Sequence, residues 1–274
     1  MTTTPLLEAV DVVREYRSPR RSLRTPGQPI RALDGVSVQV HEGEAFGIVG
    51  ESGSGKSTLS RILMALDQPT SGTAFYNGQR ISGVPERKLA FLRRDVQMVL
   101  QDPMSSLNPR MRVADIIAEP MRALRLPGDH RARVAELMHS VGLPEEAVTR
   151  YPHQFSGGQR QRIAIARALA AGPKVIVGDE PVSALDVSVR AQILNLLTDL
   201  AEQFKLTLIL VSHDLSVVRY LCDRIAVMNQ GRIVETGDTE SIYSDPQHPY
   251  TQRLLSAVPT LSGDLLDRFN RSST

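Results

Sequence analysis

Gly50-Glu51-Ser52-Gly53-Ser54-Gly55-Lys56-Ser57 has the form G-x-x-x-x-G-K-S. The apolar run at 45–49 precedes it and reads as a buried strand; the run at 58–66 follows it and suits a helix. Strand, glycine-rich loop and helix form the setting in which such a loop cradles phosphate. Glycines let the backbone curl so that successive N–H groups face an anion with no Cβ in the way. The helix N-terminus adds partial positive charge. Lys56 is expected to reach the β- and γ-phosphates, and the Ser57 hydroxyl to ligate Mg²⁺. Thr58 completes the phosphate-binding set. A glycine-rich turn with a chance lysine would not explain the strand and helix on either side.

Working outward, 274 residues suffice for one large α/β core with an inserted subdomain. A content of 41% hydrophobic and 23% charged residues is that of an ordinary globular chain. The net charge of +2 gives no bulk argument for a nucleic-acid or membrane partner. The single cysteine, Cys222, rules out a disulfide framework or an all-cysteine metal or iron–sulfur site within one chain. The N-terminus lacks a signal-peptide pattern, and the longest apolar runs are too short to cross a bilayer.

Residues 6–13 read as a strand with Tyr16 at its end. Residues 17–29 shift to Arg, Pro, Ser and Gly, an exposed loop whose arginines could also meet anionic lipid. Val36, Val38 and Val40 alternate with polar residues as in a half-buried strand, and Asn77-Gly78 signals a hairpin. From about 85 to 165 the pattern turns helical, with 113–124 and 131–141 separated by Pro127-Gly128. This predicts a helical insertion of roughly 60 residues, the size of a small subdomain.

Two more stretches bear chemistry. Ser156-Gly157-Gly158-Gln159 precedes a helical run, with Ser156 suited to an N-cap. Capping alone leaves two consecutive glycines unexplained; they favour close backbone approach, as an anion would make. The apolar run 174–178 ends in Asp179-Glu180. There Asp179 is expected to hold Mg²⁺ and Glu180 to polarise an attacking water. Residues 183–186 are expected to begin a helical run. The apolar run 206–211 ends at Ser212-His213-Asp214, which places His213 at the carboxyl edge of a parallel sheet, where ligands collect.

Taken together, the loop at 50–57, Gln101, the 156–159 signature, Asp179-Glu180 and His213 stand in one order. The chain thereby resembles the nucleotide-binding subunit of an ABC transporter over nearly its whole length. The resemblance implies an α/β fold: a P-loop NTPase core with a parallel sheet, an N-terminal antiparallel β subdomain, an inserted helical subdomain and a short C-terminal extension. It implies an ATPase domain over 1–240, with the helical subdomain at about 102–165, and an extension over 241–274. By the same resemblance Tyr16 stacks on adenine, and Gln101 touches the metal and the attacking water. Ser156, Gly157, Gly158 and Gln159 bind the γ-phosphate of ATP held by a second subunit, Asp186 bridges the two subunits, and His213 contacts the γ-phosphate. Two departures are Phe155, where Leu is commonest, and Gly178, which replaces a usual apolar residue and is expected to loosen packing slightly.

The segments 101–110, 151–155 and 242–251 are further similar to ATPases of peptide and nickel importers. Some of these carry an iron–sulfur site in the extension; with no cysteine there, none is expected here. The cofactors implied are ATP and Mg²⁺. The partners implied are a second, commonly different ATPase subunit, two transmembrane permeases and an extracytoplasmic solute-binding protein, with no nucleic acid. The chain would then be peripheral to the cytoplasmic face of the cell membrane and drive uptake of peptides. Uptake of nickel or a metal chelate stays open, as does, from another class, a soluble ABC ATPase acting on ribosomes or DNA. That last class usually shows fused cassettes or a long coiled-coil insertion, absent from this sequence. A small-molecule kinase would leave Ser-Gly-Gly-Gln and Asp-Glu unexplained.

Overall fold

The computed structural model describes residues 4–17, 29–102 and 106–257. Strands β1 (Leu7–Arg17) and β2 (Pro29–Val40) pair antiparallel. Most of the basic stretch at 17–29 lies outside the described residues, but its two ends are strand: Arg17 pairs with Pro29. Next, β3 (Ala45–Val49) enters a second sheet, and α1 (Lys56–Leu63) leads to β4 (Ser71–Tyr76) and β5 (Gln79–Arg80). Helix α1 starts two residues earlier than the 58–66 run suggests, directly after Gly55. The predicted hairpin joins β4 to β5, with Asn77 at φ 46° and Gly78 at φ 74° and Tyr76 opposite Gln79. Two successive left-handed residues match the right-handed twist of the strands.

The short helix α2 (Ala90–Asp95) precedes β6 (Val96–Val99). The helical insertion follows as α3 (Val113–Ala123), α4 (His130–Ser140) and α5 (Gly157–Leu169). Asp129 caps α4 by accepting hydrogen bonds from the Arg131 and Ala132 amides. Val134, Leu137 and Met138 on α4, with Val141 just after it, are all buried, as their helical spacing predicts. Then come β7 (Val175–Asp179), α6 (Val187–Phe204), β8 (Thr207–Ser212) and α7 (Leu215–Leu221). The chain continues through β9 (Arg224–Asn229), β10 (Arg232–Asp238), α8 (Thr239–Ser244) and α9 (Pro249–Ser256).

Residues 183–186 are not helical; the chain turns through 181–185, and α6 begins only at Val187. Ser183 and Leu185 amides close turns onto the carbonyls of Glu180 and Val182. Asp186 keeps extended dihedrals, φ −60° and ψ 153°, at the N-cap position.

The first sheet runs β2-β1-β4-β5 and the second β10-β9-β3-β8-β7-β6. In the second, β9, β3, β8, β7 and β6 are parallel, with β10 antiparallel at one edge. Alternate side chains of the parallel strands point to opposite faces. Val175, Val177, Ile209 and Val211 face a core shared with α1 and the antiparallel sheet. Ile176, Leu208 and Leu210 face the core built with α5, α6 and α7. Strands buried on both faces read as continuous apolar runs, which is how these segments appear in the sequence. Each fully buried large side chain, Phe46 and Ile48 among them, contributes about 1.5–3 kcal/mol.

Parallel register also aligns the strand ends. Val49 pairs with Ser212, Asp179 with Val211, and Val99 with Gly178. The loops after β3, β6, β7 and β8 therefore leave the sheet at one edge. Those loops, with the first residues of α1, carry Gly50–Ser57, Gln101, Glu180 and His213.

Candidate active site

The loop after β3 is shaped by contacts that only glycine permits. Gly50 sits at φ 150°, and a Cβ there would stand 2.2 Å from the Met228 carbonyl oxygen. Gly55 sits at φ 106°, with the Ala32 carbonyl oxygen 2.6 Å from where its Cβ would be. The Gly231 amide donates to the Ser54 carbonyl at 2.9 Å, so the β9–β10 turn supports the loop from behind. Ser54 Oγ is buried without a protein hydrogen-bond partner. Lys56 is only 6% exposed, and its Nζ donates to the carbonyls of Gly50 and Glu51 at 2.8 Å each. Burial pushes the Lys56 ammonium pKa down, while Glu180 and Asp179 oppose the shift. A buried cation inside a curl of glycines, beside an unpaired hydroxyl, fits a polyanion.

Ser57 Oγ donates to Asp179 Oδ1 at 3.2 Å, joining the start of α1 to the end of β7. Burial raises the Asp179 pKa, and the Ser57 hydrogen bond opposes that rise. A buried carboxylate touching a hydroxyl offers two hard oxygen ligands and a negative charge that a cation would offset. This fits Mg²⁺, which takes few protein ligands and fills its shell with phosphate oxygens and water.

Glu180 adopts φ 50°, a left-handed conformation that costs a non-glycine residue about 1–3 kcal/mol. Its amide donates to the Val211 carbonyl at 2.8 Å, and its own carbonyl accepts from Ser183 Oγ at 3.1 Å. Fixed this way, its carboxylate meets His213, with Nδ1 2.7 Å from Oε1. An ionised carboxylate only accepts, so this contact calls for the proton on Nδ1. Gln101, Glu180, Ser183, Arg190, His213 and Asp214 line a cavity of about 220 Å³. Arg190 pairs with Asp214 at 2.7 Å on its wall. Gln101, Glu180 and His213 are thus brought to one place.

Other predicted residues stand elsewhere. Tyr16 lies on β1, where its hydroxyl donates to Asp67 Oδ2 at 2.6 Å. The Arg14 guanidinium, itself paired to Asp67 at 2.7 Å, lies 4.5 Å from the Tyr16 ring centroid. Nothing local in the sequence marks Asp67 as the anchor of Tyr16. Ser156 caps α5 in a reciprocal box: its amide donates to Gln159 Oε1 at 3.0 Å, and the Gln159 amide donates to Ser156 Oγ at 3.3 Å. Ser156, Gly157, Gln159 and Asp186 are exposed. Among the described residues no hydrogen bond joins this signature to the Gly50–Ser57 loop. The two glycines also differ in use. A Cβ on Gly158 would stand 2.5 Å from Val189 Cγ1, so that glycine serves packing within the chain, whereas Gly157 has room.

At Gly178 the expected loosening is not what the contacts show. An apolar cavity of about 20 Å³ lies beside it, bordered by Leu210 and Cys222. Yet a Cβ on Gly178 would stand 2.9 Å from Pro181 Cγ, so the glycine lets Pro181 pack close. Sequence reasoning missed Tyr250. Its hydroxyl accepts from the Glu51 amide at 3.1 Å across 199 positions of sequence.

A parallel sheet with a phosphate-fitting loop, a Ser/Asp pair suited to Mg²⁺ and a Glu/His pair at its carboxyl edge defines a P-loop nucleotide hydrolase. The chain belongs to the ABC transporter family, whose description matches residues 33–183. Residues 234–271 match a second family, described as the C-terminal region of oligopeptide/dipeptide transporters. The dipeptide transport ATP-binding protein DppF of Haemophilus influenzae is 48% identical over 264 residues, covering 96% of this chain and 80% of its own. The oligopeptide transport ATP-binding protein OppF of Lactococcus lactis subsp. lactis is 51% identical over 234 residues, covering 85% and 73%. A solved dimeric ATP-binding cassette in a post-hydrolysis state, bound to ADP and Pi, superposes with a TM-score of 0.75 at 30% identity. That superposition covers 85% of this chain and 98% of the other.

Proposed function

We propose that this chain is the ATP-binding and ATP-hydrolysing subunit of an importer that takes up peptides. The observation that carries the reading is the convergence of Lys56, Ser57, Asp179, Glu180 and His213 at one sheet edge. The peptide-transport names of the relatives support peptides over nickel chelates. No helix among the described residues is long and apolar enough to cross a membrane. Attachment to the cytoplasmic face would therefore run through permease subunits, with the segment after Gln101 in their docking groove. The division into an ATPase domain over 1–240, with helices inserted at about 102–165, and an extension over 241–274 is part of the same proposal.

In this reading Lys56 leaves the Gly50 and Glu51 carbonyls to face the β- and γ-phosphates. Ser57 and Asp179 would hold Mg²⁺, which neutralises charge on the phosphate oxygens when bound. Glu180 accepts a proton from, and so polarises, the attacking water, and its left-handed backbone aims the carboxylate into the cavity shared with Gln101. His213, held against Glu180, contacts the γ-phosphate. Tyr16 stacks on adenine, its hydroxyl anchored by Asp67. The exposed Ser156–Gln159 signature and Asp186 meet the ATP and the surface of a second ATPase subunit.

The test is Lys56→Ala in the assembled transporter. Removing one charge-assisted contact should weaken ATP binding about tenfold to a hundredfold and abolish turnover. Undiminished ATP hydrolysis would overturn the loop assignment.

A further inference from the structure

We propose that Tyr250 is a positioning residue for the phosphate loop, holding the Gly50–Glu51 peptide in place from the C-terminal extension. The proposal rests on the reading of residues 50–57 as the ATP loop.

The peptide between Gly50 and Glu51 is held from both ends. Its carbonyl accepts from Lys56 Nζ at 2.8 Å, and its amide donates to the Tyr250 hydroxyl at 3.1 Å. Lys56 is the group expected to turn toward the phosphates. Once it does, the carbonyl loses that bond, and the Tyr250 hydroxyl remains to keep the peptide plane from rotating. The loop's curvature depends on that plane, because Gly50 lies against the Met228 carbonyl.

The hydroxyl is a fixed point because the extension is fixed independently of the loop. The Tyr250 ring is 6% exposed and belongs to the core that contains α5, α6 and α7. Its helix begins with Pro249 at the first helical position, and His248 Nδ1 accepts from the Tyr250 amide at 3.1 Å. The Glu235 carboxylate on β10 accepts from the amides of Gln247 and His248 at 2.8 and 3.1 Å. Ahead of this, Tyr243 donates to the Leu215 carbonyl, and Arg219 pairs with Glu240 at 2.9 Å. These contacts root the extension on β10 and α7. The stretch Glu235 to Tyr250 then acts as a bracket whose free end is one hydroxyl on the loop.

Tyr250→Phe keeps the ring and removes the acceptor. In the full 274-residue chain it should raise the Kd for ATP about threefold to tenfold, the range expected for one lost neutral hydrogen bond. The thermal midpoint without nucleotide should stay near that of the unaltered chain, while the upward shift on adding ATP shrinks. Glu235→Ala releases the start of the bracket without touching the loop, and should weaken ATP binding in the same direction. Wild-type ATP affinity in Tyr250→Phe or Glu235→Ala, with Lys56→Ala losing affinity beside them, would overturn the proposal. A midpoint lowered by the same amount with and without ATP, leaving the ATP-induced shift unchanged, would also overturn it, since that marks a packing role only. If Lys56→Ala itself bound ATP normally, the reading of the loop would fail first, a result separable from failure of the bracket.

Discussion

Glu180→Gln is expected to leave ATP affinity intact and to slow hydrolysis by about 10²–10⁴-fold, the usual contribution of a general base. Gln keeps the size and hydrogen-bonding capacity of Glu but lacks the charge that polarises water. The backbone should not respond, because the left-handed turn is held by main-chain bonds to Val211 and by Ser183 rather than by the carboxylate. One side-chain contact does change: His213 Nδ1 would face an amide in place of a carboxylate. ATP should then trap the paired subunits closed. Single-turnover kinetics on the assembled transporter, with the partner's corresponding residue also changed, would measure both effects. Normal turnover would remove Glu180 from the chemistry.

The second large effect concerns the 156–159 signature. In the proposed function these residues meet an anion; Ser156, Gly157 and Gln159 are exposed, and no hydrogen bond among the described residues ties them to the chain's own phosphate loop. On that proposal, the donors that stabilise transferring phosphate would arrive from a second subunit. The isolated chain should bind ATP but hydrolyse it slowly, and adding the partner ATPase and permeases should raise the rate. Ser156→Arg places a long cation where phosphate would approach. It should suppress that gain by about 10²-fold, the effect of losing one such donor, while ATP affinity of the isolated chain stays close to normal. Full-speed hydrolysis by a monomer, indifferent to Ser156→Arg, would exclude the shared site.

What the sequence made legible follows from local physics. The Asn77-Gly78 turn needs two left-handed residues and names them. The apolar runs at 45–49, 174–178 and 206–211 read as strands because a parallel sheet buries both faces. The phosphate loop, Asp179-Glu180 and His213 could be read because each follows an apolar strand. The rest depends on tertiary contact. Residues 183–186 look helical in composition, but Glu180 turns the chain and delays the helix to Val187. The close packing of Val189 against Gly158 is likewise set by a tertiary contact that the sequence does not show. Asp67 beneath Tyr16 and Tyr250 on the Glu51 amide link positions far apart in sequence, and no periodicity records such pairs.

ATP hydrolysis at this site is expected to drive peptide import. The most direct measurement is ATP-dependent accumulation of a labelled dipeptide in proteoliposomes holding this chain with its partner ATPase, permeases and binding protein. The account predicts accumulation that requires ATP and stops with Lys56→Ala. Steady ATP hydrolysis with no dipeptide accumulated, or accumulation that persists in Lys56→Ala, would contradict it.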